Sequence, residues 1–253
     1  MKLTFLGTGT SQGVPIISCN CDVCRSDDSR DKRLRSSVLI ETNDLSLVID
    51  CGPDFRQQML LNEVSRLNAI LLTHEHIDHI ACLDDIRAFN YIHGKPMDIY
   101  AEKRVLKSIM RIYNYVFFDE KYPGIPSMEL HEIDNNPFRV GETEIIPIRA
   151  FHHKLPVFGY RINKIAYLTD INSIQDSEIE KLEGIEILVV NALRKKVHLS
   201  HFSLDEALAL IDQVKPKQAF LTHVSHKMGM HSIEDEKLPK NIHFAYDGLS
   251  VNV

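Results

Sequence analysis

The sequence predicts a layered α/β fold. Three observations carry that expectation: short apolar runs of strand length, helical stripes between them, and metal-ligand side chains where the strands end. The strand-like runs cover residues 3–6, 37–41, 45–49, 69–72, 144–148, 165–168, 186–190 and 218–221. Each is rich in Val, Ile, Leu or Phe and is bounded by polar or turn residues. Three helical stripes intervene. Ile80, Leu83, Ile86, Phe89 and Ile92 recur every three residues. Val105, Ile109, Ile112 and Val116 form the second stripe, and Leu204, Ala207, Leu208, Ile211 and Val214 form the third. Ser203-Leu204-Asp205-Glu206 is a capping box that fixes the start of the third helix.

The chain has 253 residues, 44% of them hydrophobic and 25% charged. At this length roughly three quarters of the unfolded surface is buried on folding, enough for a full core. No repeat, low-complexity segment or linker divides it, so residues 1–253 are expected to form one domain. The net charge of −6 argues against a large nucleic-acid partner, whose binding rests on many Lys and Arg contacts to phosphate. No apolar run approaches the roughly 20 residues of a membrane helix, so no membrane association is expected. The apolar part of the N-terminus is too short for a signal peptide, which predicts a cytoplasmic protein.

The strand ends hold the chemistry. The run 69–72 leads through Thr73 to His74, the run 165–168 through Thr169 to Asp170, and the run 218–221 through Thr222 to His223. Thr73-His74-Glu75-His76-Ile77-Asp78-His79 packs four potential ligands into six residues. In an extended segment side chains repeat every two residues, so His74 and His76 face one metal together. Asp78 and His79 follow at the helix entry and reach a second. Imidazole with carboxylate suits zinc, manganese or iron.

This motif after a strand resembles the signature of the metallo-β-lactamase superfamily. The resemblance extends to Phe5-Leu6-Gly7-Thr8-Gly9-Thr10 and Val48-Ile49-Asp50-Cys51-Gly52 and covers most of the chain. It implies a four-layer αβ/βα sandwich with metals at one sheet edge. It also implies a third histidine for the first metal. His152 and His153 are adjacent, and only one can face the metal from an extended segment. The family's His-x-Lys-Leu…Gly-Tyr pattern selects His152. By the same resemblance Asp170 bridges both metals and His223 completes the second site. The first site is then His74, His76, His152 and Asp170; the second is Asp78, His79, Asp170 and His223. Two divalent cations roughly 3.5–4 Å apart turn a shared water into a hydroxide nucleophile near neutral pH. They also neutralise charge growing on a phosphoryl or carbonyl oxygen.

Cys19-Asn20-Cys21-Asp22-Val23-Cys24 has the spacing of thiolates that share one tetrahedral zinc, within a loop at about 15–36. The five Cys are an odd number, and thiols stay reduced in the cytosol, which disfavours disulfides. His226 is the candidate fourth ligand of this structural zinc. Cys51 and Cys82 read as core thiols. The three Cys resemble one subgroup of the superfamily, the phosphoribosyl 1,2-cyclic phosphate phosphodiesterases. So do Gln12-Gly13-Val14-Pro15, Leu221-Thr222-His223-Val224-Ser225-His226 and Asp247-Gly248. Asn191-Ala192-Leu193-Arg194 departs from that subgroup's acidic residue, so the resemblance does not carry phosphoribosyl specificity to this chain.

His201 lies two residues before the Ser203 cap, where a helix N-terminus favours an anion. The subgroup has a histidine at the matching place, which implies that His201 protonates a leaving oxygen or holds a phosphate. His198 reads as a loop residue near the site. Aromatic residues of the stretch 113–126 either wall a pocket, form a homodimer contact or pack in the core. The expected activity is a binuclear metal-dependent phosphodiesterase acting on a small cyclic or nucleotide-like phosphodiester, with Asp78 and His201 in the catalytic set. The alternatives are a nuclease that processes tRNA 3′ ends, another hydrolase of the superfamily, and a metal- or ligand-sensing module without turnover.

Overall fold

The computed structural model describes residues 1–118 and 123–253. Two mixed β-sheets pack face to face. The first runs, in spatial order, Ser250–Asn252, Lys2–Gly7, Ser37–Glu41, Ser46–Ile49, Ala69–Leu71, Met97–Glu102 and Met128–Ile133. The second runs Ser173–Ile174, Thr143–His152, Leu155–Ile162, Ile165–Leu168, Ile187–Asn191, Gln218–Thr222 and Ile242–Phe244, with Phe138–Val140 added beside Thr143–His152. Antiparallel pairing at one side of each sheet gives way to parallel pairing.

Alternation along the strands explains the layers. Leu47 and Ile49 point into the space between the sheets, where they meet Phe158, Tyr160, Tyr167 and Val189. Val48, between them, points outward onto Phe55, Met59, Leu83 and Ile86 of the helical layer. In the second sheet Ile165 and Tyr167 face inward, while Ala166 and Leu168 face outward onto Ala207, Leu210 and Ile211. Both faces of each sheet are therefore apolar, so the strands read as nearly unbroken hydrophobic runs. Helices cover each outer face, which makes the four-layer αβ/βα sandwich. No helix among the described residues is long and apolar enough to cross a membrane.

The helical stripes need correction in two places. The first is a succession of short pieces: helix Ile77–Ile80, 3₁₀ turn Leu83–Ile86 and helix Arg87–His93. Spacing by threes is the 3₁₀ repeat, and Ile92 ends up exposed at 65%. The second helix, Lys103–Ile112, stops before Val116, which lies buried in a following 3₁₀ turn. The third is Leu204–Val214 as expected, with the Ser203–Glu206 capping box formed in both directions.

Gly52 fixes how the motif loop sits on the first sheet. A Cβ there would lie 1.9 Å from the Asp78 carbonyl oxygen, so only glycine lets the two backbones touch. The neighbouring Cys51 amide donates to the His79 carbonyl at 2.7 Å. Gly52→Ala is expected to cost at least about 2 kcal/mol by overpacking. At roughly 2–4 °C per kcal/mol for a chain this size, a thermal melt should fall by several degrees. An unchanged melt would mean that the loop moves freely away from the sheet.

Candidate metal centre

Four strand ends converge on one edge of the sandwich. Ser46–Ile49 leads to Asp50, Ala69–Leu71 to His74, Ile165–Leu168 to Asp170, and Gln218–Thr222 to His223. Parallel strands bring their carboxyl ends to the same side, where the connecting loops build a ligand site. Three of these residues leave the strand with left-handed backbone: Asp50 at φ 67°, Asp170 at 55° and His223 at 55°. Such conformations cost of order 1–3 kcal/mol each for a non-glycine residue and gather at functional sites.

Asp170 is the hub. Its Oδ1 lies 2.6 Å from His223 Nδ1. Its Oδ2 lies 3.2 Å from His79 Nε2, 3.7 Å from His201 Nε2 and 3.8 Å from His74 Nε2. His74 Nε2 in turn meets His76 Nδ1 at 3.0 Å, which brings the His-x-His pair onto one point. Asp78 Oδ2 is 3.3 Å from His79 Nε2. The His152 ring lies 5.1 Å from that of His76 and 5.8 Å from that of His74. Its Nδ1 points away, to the Ser200 carbonyl at 2.7 Å, and leaves Nε2 for the centre. Residues separated by 149 positions, from His74 to His223, thus share one small volume.

The choice between His152 and His153 has a local cause. His152 is the last residue of strand Thr143–His152 and pairs with Leu155, so His153 and Lys154 form a two-residue turn. His153 takes φ 57° there and is exposed.

The charges favour cations at this point. Burial alone would raise the Asp170 carboxyl, but the His223 and His79 charges hold it well below the usual carboxylate range. Burial and the neighbouring His79 charge drive the His74 imidazole well below its ordinary value. Burial pushes His152 down to about 4. His74 and His152 are therefore neutral donors with free lone pairs at neutral pH, as metal ligands must be. His79 is the exception. Burial opposes its protonation, yet Asp50 and Asp170 raise it well above the ordinary value, so this position attracts positive charge. His223 Nε2 is buried without a hydrogen-bond partner among the described residues. A buried acceptor of this kind is costly unless something coordinates it. The donor set fits divalent metal ions.

Asp50 was missed from the sequence as a functional residue. Its Oδ2 accepts from His79 Nδ1 at 2.7 Å, and the carboxylate also takes the Thr73 amide (2.9 Å) and hydroxyl (2.9 Å). A carboxylate behind a ligating histidine fixes the tautomer and raises its basicity. The available signal was its place at the end of the strand that neighbours the motif strand. Asn191 supports the other side. Its amide accepts from the Ile171 amide (2.8 Å) and donates to the Ile171 carbonyl (3.0 Å). An amide can do both and a carboxylate cannot, which is the structural role of this departure from an acidic residue.

His201 stands beside Asp170 because the Phe202 amide donates to the Ile171 carbonyl at 2.8 Å. Its ring lies 4.5 Å from that of His152 and 4.9 Å from that of His223. Its Nδ1 side faces Ser200 Oγ (3.1 Å) and His198 Nδ1 (3.2 Å). The helix N-terminus next to it serves its own cap. The Glu206 carboxylate accepts from the Ser203 amide and hydroxyl, so this end already holds an acid. The position of His201 follows from the Ile171 contact rather than from the helix dipole.

The Cys cluster forms a second group. Cys19 Sγ and Cys21 Sγ each lie 3.3 Å from His226 Nδ1, and Cys24 Sγ lies 3.5 Å away. Tetrahedral zinc with bonds of about 2.3 Å to sulfur and 2.0–2.1 Å to nitrogen puts sulfur and nitrogen roughly 3.5 Å apart, so these residues fit that ion. Three residues of backbone turn His223 into one group and His226 into the other. Cys51 is buried in the core and Cys82 is partly buried against it.

In the aromatic stretch, Tyr113 is a core residue whose hydroxyl donates to the Ile80 carbonyl at 2.7 Å. Tyr115 donates to Asp84. Phe118 is exposed at 57%. Tyr122 lies outside the described residues.

Comparison with known proteins agrees with this architecture. Residues 46–224 match the family model of the beta-lactamase superfamily domain. A solved diphosphatase from the PhnP family is 36% identical, with a TM-score of 0.93 over 100% of this chain and 97% of that one. The octanoyltransferase of Porphyromonas gingivalis is 43% identical over 98% of this chain and 51% of that protein, so the chain spans about half that relative's length. Ribonuclease Z of Methanococcus maripaludis is 26% identical over 172 residues, 65% of this chain and 49% of that protein.

Asp50→Asn keeps the shape but removes the charge behind His79. Metal affinity at the His79 position should fall roughly 10- to 100-fold. Calorimetric titration of the stripped protein with zinc would read this, and equal affinity in the variant would remove Asp50 from the site.

Proposed function

The chain belongs to the metallo-β-lactamase superfamily, and from that premise we propose that it is a binuclear metal-dependent phosphodiesterase acting on a small cyclic or nucleotide-like phosphodiester. The observation that carries this reading is the Asp170 carboxylate, whose two oxygens are shared among His74, His79, His201 and His223. In the proposal, His74, His76, His152 and Asp170 hold one ion, and Asp78, His79, Asp170 and His223 hold the other. Zinc and manganese both suit this mixed set. Bound there, the two ions supply Lewis acidity and lower the pKa of water.

The chain's own residues do the rest. Asp170 would be shared between the two ligand sets. Asp50 and Ser200 fix the rings of His79 and His152 by taking their outward N–H groups. His201 presents Nε2 to the same volume, 3.7 Å from Asp170, and is the group placed to hand a proton to the leaving oxygen. Cys19, Cys21, Cys24 and His226 would hold a third ion, a structural zinc.

The similarity to ribonuclease Z keeps a tRNA-processing nuclease as the second reading. The net charge of −6 favours a small substrate over a long RNA. The octanoyltransferase relative is about twice as long as this chain. Among the described residues, the ligand-type side chains grouped with Asp170 are His74, His76, His79, His152, His201 and His223, with no thiol or amine among them to carry an acyl group.

Purified protein loaded with manganese or zinc should hydrolyse bis(p-nitrophenyl) phosphate, and Asp78→Ala should lower that rate by at least about 100-fold. A loaded, folded wild type without activity on this ester would count decisively against the phosphodiesterase. Elemental analysis should find three metals per chain, falling to two in Cys21→Ser with a lower melting temperature. Two in the wild type would remove the structural zinc.

A further inference from the structure

We propose that Arg104 is a positioning residue for the first ligand set, clamping the segment that carries His74 and His76 to the hairpin that carries His152. The inference rests on the binuclear reading of the neighbouring centre and not on its substrate. Glu75 lies between the two motif histidines. Side chains alternate along an extended segment, so while His74 and His76 meet at 3.0 Å, Glu75 turns to the other side. There its carboxylate accepts from Arg104 Nη1. The same guanidinium donates through Nη2 to the Pro156 carbonyl. Pro156 pairs with Phe151 in the hairpin whose next pair is His152 with Leu155. Among the described residues, no other side chain is hydrogen-bonded to both segments.

The clamp is itself held. Arg104 is the second residue of helix Lys103–Ile112, which follows strand Met97–Glu102 directly. The Glu102 carboxylate accepts from Arg104 Nε at 3.3 Å and from Arg149 Nη2 at 2.8 Å. Arg149 belongs to strand Thr143–His152 of the second sheet, and its guanidinium lies 3.8 Å over the Phe158 ring. Acids and arginines thus alternate from the motif loop to the second sheet: Glu75, Arg104, Glu102, Arg149. Each of these side chains is less than a third exposed, so their pairing is screened less than on an open surface. The planar arginine fork holds its two acceptors in fixed directions. Deeper in the sandwich the sheets are joined otherwise. The Phe158 amide donates to the Thr73 carbonyl at 3.1 Å, and the Tyr160 hydroxyl donates to the Leu72 carbonyl at 2.6 Å. Those bonds stop at Thr73, and the mouth, where His76 is exposed, is left to Arg104. A slip between the two segments would move His152 away from His74 and His76. The second ligand set takes nothing from the hairpin, so the clamp acts on one ion position and not on the other.

The test uses full-length protein carrying zinc in the Cys group, which thiolates favour, and manganese in the centre. It is dialysed against a chelator that sets graded levels of free manganese, and manganese per chain and the EPR signal are read. Wild type should keep two manganese ions with the spin-coupled signal of a close pair. Arg104→Met, which keeps the stem and loses the fork, should release one of them at a free-manganese level at least about tenfold higher, leaving the signal of an isolated ion. Glu75→Gln should shift the same release in the same direction by a smaller factor. On bis(p-nitrophenyl) phosphate, Arg104→Met should lose kcat at low manganese and regain it at high manganese, with KM unchanged. Loss of both ions together would mark a general structural defect and overturn the clamp. So would release curves of the two folded variants that match wild type. If Arg104→Met does not fold, Glu75→Gln alone decides. A wild type that keeps the pair but cleaves no ester ends the phosphodiesterase reading and leaves the clamp to its release curves. A wild type that keeps no pair overturns the clamp together with the binuclear centre.

Discussion

A buried carboxylate among imidazoles is the constraint on which the rest of the structure depends. Asp170 is 2% exposed, and in an apolar sandwich its charge is tolerable only with partners on every side. His223, His79 and His201 provide them, and each comes from a different segment of the chain. The left-handed turns at Asp50, Asp170 and His223 are the backbone consequence, because a regular strand would carry these side chains past one another. Asp50 behind His79 and Asn191 behind Ile171 lock the loops in turn.

The Cys group and the Asp170 group are mechanically one unit. The Val224 amide donates to the Thr8 carbonyl at 2.9 Å, and the Thr10 amide donates to the Val224 carbonyl at 3.2 Å. The loop after the first strand is thereby stitched between His223 and His226. Arg33, buried, donates to the Thr8 hydroxyl at 2.8 Å and contacts His231 Nδ1 at 3.1 Å. Asp247 accepts from the same Thr8 hydroxyl and from the Leu34 amide. The Cys loop is therefore anchored by a polar cluster as well as by its own side chains.

Much of this was legible in the sequence because both faces of each strand are buried. Residues 37–41 and 165–168 read as strands and are strands at those positions. The ligand-type residues were legible because they follow such runs directly, as Thr73-His74 and Thr169-Asp170 do. Strands Met97–Glu102 and Leu155–Ile162 escaped notice because Asp98, Glu102 and Arg161 interrupt their apolar pattern. Asp50 escaped because a single aspartate before a glycine looks like an ordinary turn. Its role depends on a partner 29 residues away, which only the parallel pairing of Ser46–Ile49 with Ala69–Leu71 brings near.

The first strand, Lys2–Gly7, pairs on one side with Ser250–Asn252, and Cys19 meets His226 across 207 positions. Both metal groups also need residues from the segment 223–226. On a growing chain, the first strand can pair early with Ser37–Glu41, but its other edge and the Cys loop find their partners only after residue 223 has been made. Pairings of such long range form late and slowly. Either complete ligand set therefore exists only once residues 223–226 have joined the earlier motif residues.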